Sequence, residues 1–162
     1  MSSFEHYSGY EVIMAAMQVE KNGHLFYSTM AQRNDGVVSE LFSWLAQDEV
    51  EHLDRLKRLA ETFADDEAWG DDEFLPYLNR FRDSEIFPSA ERLELVLGGA
   101  DANLKLLELA LEAEEKFAAY FNKASAIATS DEGRNAFTWL AQEEERHARI
   151  ISARISKLTG DR

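Results

Sequence analysis

The sequence predicts an all-α fold, an antiparallel four-helix bundle with a long crossover between its second and third helices. Leu, Ala and Glu dominate the composition, whereas the chain has only 8 Gly and 2 Pro, and such a composition favours helix over sheet. Apolar residues recur at helical spacing in four long segments. Short polar turns join these segments in two pairs, which is typical of helices that lie antiparallel to each other.

The first predicted helix covers about residues 10–33 and the second about residues 37–64. Apolar side chains repeat every three or four positions through both segments, so each helix has one apolar face. The polar residues at 34–36 form the turn between them. Together they make a helical hairpin over about 10–64.

The third predicted helix covers about residues 101–128, and the fourth about 131–158. Asp101 follows two glycines and is expected to be the N-cap of the third helix. Gly160 is expected to end the fourth helix. These two helices form a second hairpin over about 101–158.

Residues 65–100 are predicted to form the crossover between the hairpins, with one or two short helices. This stretch contains both prolines and two acidic runs, at 65–67 and 71–73. The acidic runs could attract cations, but we interpret them as a solvated face and helix-start signals. With 162 residues, the chain is expected to be a single domain over 1–162.

An internal repeat relates the two hairpins. Residues 44–52 (WLAQDEVEH) recur 95 positions later as residues 139–147 (WLAQEEERH). The first and third helices also correspond, because Glu20 and Glu114 are each followed six residues later by an aromatic pair. The chain is therefore two copies of one helical hairpin.

The repeat places ionisable side chains in the middle of the apolar faces. On the second helix, positions 41, 45, 49, 52, 56, 59 and 63 share one face, and all are Leu or Phe except two. The other three helices have the same interruption at a similar depth. The interrupting residues are Glu20, Glu49, His52, Glu114, Glu144 and His147.

Carboxylates buried in this way are tolerated only when they are paired or bind cations. Two divalent ions would balance the charge of the four glutamates. The Glu-x-x-His spacing brings a carboxylate and an imidazole side by side on one helix, and two such motifs with one further Glu on each remaining helix are typical of carboxylate di-iron and di-manganese bundles. We therefore predict that these six residues bind two metal ions. The competing interpretation, core histidines with surface glutamates, leaves the four interrupted faces unexplained.

Neighbouring residues offer alternatives to some of these ligands. Glu112 and Glu115 fall off the apolar face of the third helix, so Glu114 is the predicted ligand. His24 is interpreted as a bystander, because its repeat counterpart is an alanine. Tyr27 could either donate a hydrogen bond to a ligand carboxylate or only pack in the core. The tryptophans that open the two repeat segments are interpreted as packing residues.

Charge and composition exclude several classes of function. The net charge of −14 disfavours nucleic-acid and membrane-surface partners. Without cysteine there are no disulfides, thiolate zinc sites or iron–sulfur clusters. We found neither a signal-peptide pattern nor an apolar run long enough for a membrane span. A cytoplasmic location is expected.

On these residues and motifs, the sequence resembles the rubrerythrin group of the ferritin-like superfamily over essentially the whole chain. The resemblance implies a di-iron centre in which the glutamates of the two Glu-x-x-His motifs bridge the irons. The other two glutamates would be terminal ligands, and each histidine would bind one iron. This chain departs from rubrerythrins proper in having no cysteine for a rubredoxin iron, so electrons would come from a separate donor. It also has Phe117 where rubrerythrins carry an additional glutamate.

The function expected from the sequence is a rubrerythrin-like di-iron oxidoreductase that oxidises ferrous iron with peroxide or oxygen. Manganese and zinc suit the same ligands. The alternatives are a metal-sequestering protein without turnover and a structural bundle with a vestigial site. We expect a homodimer or a larger homo-oligomer.

Overall fold

The structure, a computed structural model, describes residues 9–34, 36–61, 90–128 and 130–160. Over these residues it is all-α, and the predicted fold class is confirmed, because the two long hairpins pack as in a ferritin-like bundle. The helices are α1 (Gly9–Arg33), α2 (Gly36–Glu61), α3 (Ala90–Leu97), α4 (Ala102–Ile127) and α5 (Asp131–Thr159). The packing of α1 on α2 and of α4 on α5 is extensive, and α2 also contacts α5.

Helix α4 begins directly after the predicted N-cap Asp101, and α5 ends directly before the predicted terminator Gly160. Asp101 is the N-cap of α4, but it has a left-handed backbone with φ 56° and its side chain makes no capping hydrogen bond. Asp tolerates this conformation better than most residues. At the other end of the hairpin, Gly160 adopts φ 68° and its N–H is directed to the carbonyls of Ser156 and Lys157. A left-handed glycine with these contacts is a common helix terminator.

The predicted crossover is only partly described. One short helix within it, α3, packs Leu93 and Val96 against the core, and Glu94 forms an ion pair with Arg33 at the end of α1. The acidic runs, both prolines and the predicted last turn of the second helix at 62–64 lie outside the described residues. The assignment of 1–162 to one domain stays a prediction.

The core consists of two apolar clusters separated along the bundle. The first includes Ile13, Leu56 and Phe121, and the second includes Met30 and Leu107. On each of the four long helices, the predicted ligands fall between the residues of these two clusters in sequence. A buried polar layer therefore lies at mid-height between two apolar layers, as the interrupted apolar faces predicted. None of the helices in the described part combines the length and the apolar character of a membrane span.

Candidate metal centre

The structure buries all six predicted ligand side chains completely. Each has a relative exposure of 0%. They are Glu20, Glu49, His52, Glu114, Glu144 and His147. Glu112 and Glu115 of α4 are exposed, whereas Glu114 is buried, as its position on the apolar face predicted.

These six residues form two overlapping groups of four. In each group, one nitrogen or oxygen atom per residue lies within 4.8 Å of the corresponding atoms of the others. The His52 half-site consists of Glu20, Glu49, His52 and Glu144, and the His147 half-site consists of Glu49, Glu114, Glu144 and His147. Two carboxylates, Glu49 and Glu144, belong to both half-sites. This sharing is the arrangement that two bridging and two terminal carboxylates require.

Both histidines turn the same ring nitrogen toward the carboxylates. His52 Nδ1 lies 2.9 Å from Glu144 Oε1 and 3.4 Å from Glu20 Oε2. His147 Nδ1 lies 3.4 Å from Glu114 Oε1 and 3.5 Å from both Glu49 Oε1 and Glu144 Oε2. The two rings are nearly parallel, at 12°, with centroids 5.4 Å apart. The imidazoles therefore complete the same polar layer from α2 and α5.

Most of the polar atoms in this layer have no hydrogen-bond partner among the described residues. These atoms are both carboxylate oxygens of Glu20, Glu49 and Glu144, Oε2 of Glu114, both nitrogens of His52, and Nδ1 of His147. A buried acceptor without a partner costs about 1–3 kcal/mol, and more if it is charged, so native proteins rarely bury so many together. Oxygen and imidazole donors around a buried space are the ligand types that iron, manganese and zinc accept. The residues therefore fit a pair of divalent ions.

Burial and mutual repulsion perturb the acids of this layer. Burial raises the pKa of Glu20, Glu49 and Glu114 well above the ordinary value, and the charge of Glu144 raises each further. Burial also raises the pKa of Glu144, but its close contacts with Glu114, His147 and His52 outweigh burial, so that this pKa falls below the ordinary value. Without cations, this environment therefore favours the protonated form of Glu20, Glu49 and Glu114.

Tyr27 does both of the things that the sequence left open. Its side chain is fully buried and stacks on Phe42 in the core, with ring centroids 5.9 Å apart. Its hydroxyl donates a hydrogen bond of 2.5 Å to Glu114 Oε1. Burial, followed by the charge of Glu114, raises the pKa of Tyr27 well above its ordinary value. The phenol therefore keeps its proton and orients the Glu114 carboxylate.

Asp48 is a site residue that the sequence argument missed. Its Oδ2 lies 2.5 Å from Nε2 of His147, the nitrogen that points away from the carboxylate layer. Hydrogen bonding to His147 lowers the pKa of Asp48, so the carboxylate accepts the hydrogen bond. Arg146 Nη2 donates a hydrogen bond of 3.2 Å to the same oxygen. The guanidinium therefore provides a positive charge beside Asp48 on this outer side. The sequence feature that could have indicated Asp48 is the repeat, because an acidic residue directly precedes the Glu of both Glu-x-x-His motifs.

The two tryptophans cover the histidines from the opposite repeat. Trp44 of α2 meets the ring of His147 edge to face at 5.5 Å, and Trp139 of α5 meets the ring of His52 in the same way at 5.3 Å. Arg55 stacks over Trp139 with its guanidinium carbon 4.2 Å from the ring centroid. The tryptophans are packing residues, as predicted, and what they pack on is the pair of imidazoles.

His24 is not part of the cluster. It is exposed, and its Nδ1 lies 2.9 Å from the backbone carbonyl of Ala46. The interpretation of His24 as a bystander agrees with this position.

Gly23 leaves room for the side chain of Glu49, and its substitution gives a testable prediction. A Cβ at this position would lie 3.2 Å from Glu49 Oε2 and 3.4 Å from Phe117 Cε2. We expect Gly23→Ala to stabilise the metal-free protein by about 1 kcal/mol through helix propensity. Because Glu49 must then shift, we also expect metal affinity to fall about tenfold.

Thermal unfolding with and without added Zn²⁺ separates these two effects in one variant. A Gly23→Ala protein that binds Zn²⁺ as tightly as the wild type would show that the Glu49 carboxylate is not held in place from α1.

Residues 11–154 match the family model described as Rubrerythrin. No curated protein and no solved structure matches the chain. The matched segment includes every residue of both half-sites.

Proposed function

Because this chain belongs to the rubrerythrin family, we propose that its two half-sites bind two iron ions and that the protein oxidises ferrous iron with peroxide or oxygen. The observation that carries the proposal is the pair of overlapping half-sites with two shared carboxylates, all fully buried. Manganese or zinc would suit the same donors.

The two half-sites indicate which carboxylates would bridge the two ions and which would bind one ion each. Glu49 and Glu144 belong to both groups and would bridge, whereas Glu20 and Glu114 would each serve one ion. The four carboxylates would neutralise the charge of two divalent ions. When bound, two ferrous ions supply the two electrons that reduce one molecule of hydrogen peroxide, with two protons, to two molecules of water.

The surrounding residues would hold the ligands and exclude bulk water. Tyr27 keeps one oxygen of Glu114 in place through its hydroxyl, and Asp48 holds the His147 ring from its outer nitrogen. Above and below, the two apolar clusters close the layer. The tryptophans that meet the histidines edge to face cover it between α2 and α5.

Anaerobic loading with ferrous iron tests this proposal. After addition of hydrogen peroxide, we expect the near-ultraviolet absorption of ferric iron to appear at a ratio of two irons per chain, and Glu144→Ala to show none of it above the reaction of free iron. If the wild-type protein binds two ferrous ions but oxidises them no faster than buffer does, the oxidase proposal fails.

Metal sequestration without turnover is the second candidate. Phe117, which stands where rubrerythrins have an additional glutamate, is fully buried, and its ring lies close to the space above Gly23. An apolar side chain there favours a centre that keeps only six ligands. Bound ferrous iron that resists peroxide in the preceding experiment would favour this candidate. We also propose that electrons come from a separate donor and that the protein forms a homo-oligomer. Size-exclusion chromatography with light scattering tests the homo-oligomer.

A further inference from the structure

The two half-sites are related by the internal repeat, yet they differ in the residues that support their ligands. We propose that the His147 half-site binds the first metal ion, and binds it more tightly than the His52 half-site binds the second. The inference rests on the proposed metal binding but not on iron oxidation. Tyr27 and Asp48 are the positioning residues that make the difference.

The first asymmetry concerns the terminal carboxylates. Tyr27 follows Glu20 by seven residues in sequence but donates its hydrogen bond to Glu114 of the other hairpin. The residue seven positions after Glu114 is Phe121, which has no hydroxyl and stacks on Phe137. Among the described residues, both oxygens of Glu20 lack a hydrogen-bond partner. Within the part of the chain that the structure describes, one terminal carboxylate is therefore oriented by a phenol and the other is not.

The second asymmetry concerns the histidines. Asp48 Oδ2 lies 2.5 Å from Nε2 of His147 but 3.7 Å from Nε2 of His52. The repeat counterpart of Asp48 is Glu143, which the repeat would place beside the outer nitrogen of His52. Instead, Glu143 accepts a hydrogen bond of 2.8 Å from Arg146. Only the outer nitrogen of His147 therefore has a carboxylate partner within hydrogen-bond distance in the described part of the chain.

These contacts predict an affinity difference through preorganisation. The hydrogen bond to Asp48 holds the His147 ring with Nε2 as the donor, so that Nδ1 faces the carboxylates. His52 has no such partner among the described residues, so its ring must be oriented when the ion arrives. Outer partners of this kind typically change metal affinity by about 10–100-fold. The His147 half-site, with two such partners, should fill first.

Two binding steps alone would not establish the inference. Two ions that share Glu49 and Glu144 repel each other, so even identical half-sites would bind in a strong and a weak step. The decisive observation is which half-site holds the single ion. Zn²⁺ is a suitable probe because it has no redox chemistry and accepts the same ligands.

Anomalous diffraction from wild-type crystals prepared with one equivalent of Zn²⁺ should show the ion in the His147 half-site. By calorimetric titration, Tyr27→Phe and Asp48→Asn should each weaken the first binding step about 10–100-fold, with the second step changed by less than about threefold. His52→Ala should keep the first step, and His147→Ala should lose it. Glu143→Gln is the matched control for Asp48→Asn and should leave both steps unchanged.

The possible failures are distinguishable. A wild-type protein that binds no Zn²⁺ overturns the proposed metal centre itself. Two bound ions, with the first found in the His52 half-site or divided equally between the half-sites, overturn the inference and leave the centre intact. Equal weakening of both steps by Tyr27→Phe and Asp48→Asn would also overturn it.

Discussion

Glu144→Ala should reduce the metal content from about two ions per chain to nearly none. Glu144 belongs to both half-sites, with Oε1 2.9 Å from His52 Nδ1 and Oε2 3.5 Å from His147 Nδ1. Its removal takes one carboxylate from each ion and leaves the remaining three unable to neutralise two divalent charges. Glu20→Ala, by contrast, should lose about one ion, because Glu20 belongs only to the His52 half-site. Elemental analysis by mass spectrometry after exhaustive dialysis measures both.

Controls for this prediction are available on the same helices. Glu145 follows Glu144 directly but is exposed, so Glu145→Ala should keep the wild-type metal content. Glu49→Ala should behave like Glu144→Ala, and His147→Ala should lose at least one ion. Unchanged metal content in Glu144→Ala, with a folded protein by circular dichroism, would place the metal elsewhere in the chain.

Removal of the metal should lower the midpoint of thermal unfolding by about 15–30 °C. Two ions, each present at about 1,000 times its dissociation constant and each contributing about 4 kcal/mol, together stabilise the folded state by about 8 kcal/mol. For a chain of this length, each kcal/mol corresponds to roughly 2–4 °C. The stabilisation is expected because the ions neutralise carboxylates that are otherwise buried without partners. Scanning calorimetry of dialysed and Zn²⁺-loaded protein measures the difference.

The decrease in the unfolding midpoint on metal removal should be larger at pH 8 than at pH 5.5. The pKa values of Glu20, Glu49 and Glu114 are raised in the folded protein above the ordinary 4.5. Above pH 4.5 the metal-free folded state therefore binds more protons than the unfolded state, and its stability falls as the pH rises through the folded pKa values. The lowered pKa of Glu144 has the opposite sign, but it acts below pH 4.5. Bound metal replaces these protons, so its stabilisation grows with pH.

Glu20→Gln tests this explanation directly. The amide keeps the volume of the side chain but removes a group whose charge is costly to bury, so the metal-free variant should be more stable than the metal-free wild type at pH 8 and less sensitive to pH. If metal-free Glu20→Gln were less stable at pH 8, burial of uncompensated charge would not be what destabilises the metal-free protein.

Several particular residues could be identified before any coordinates. The spacing of apolar residues placed the four long helices, and the repeat located Glu49 with His52 and Glu144 with His147. On α4, the apolar face distinguished Glu114 from two exposed glutamates one and two residues away. These inferences succeed because helical periodicity converts sequence position into a direction around the helix axis. A buried ionisable group then appears as an interruption of an apolar face.

Other features depend on contacts between helices that are far apart in the sequence. The repeat suggested two equivalent half-sites, but Tyr27 bonds to Glu114, 87 residues away, and Asp48 contacts His147, 99 residues away. Which acid meets which imidazole depends on the axial offset and rotation of one hairpin against the other. Periodicity within a single helix contains no information on either quantity.

The amino-acid sequence by itself determined that this protein is a bundle of two repeated hairpins with four glutamates and two histidines at one depth. The tertiary structure placed Glu49 and Glu144 in both half-sites, as the resemblance implied. It alone decided that, among the described residues, one half-site has a tyrosine and an aspartate behind its ligands and the other does not. The physical reason is that burial is a property of a helix face, whereas hydrogen bonds across the bundle require distances of about 3 Å that only the packed helices set.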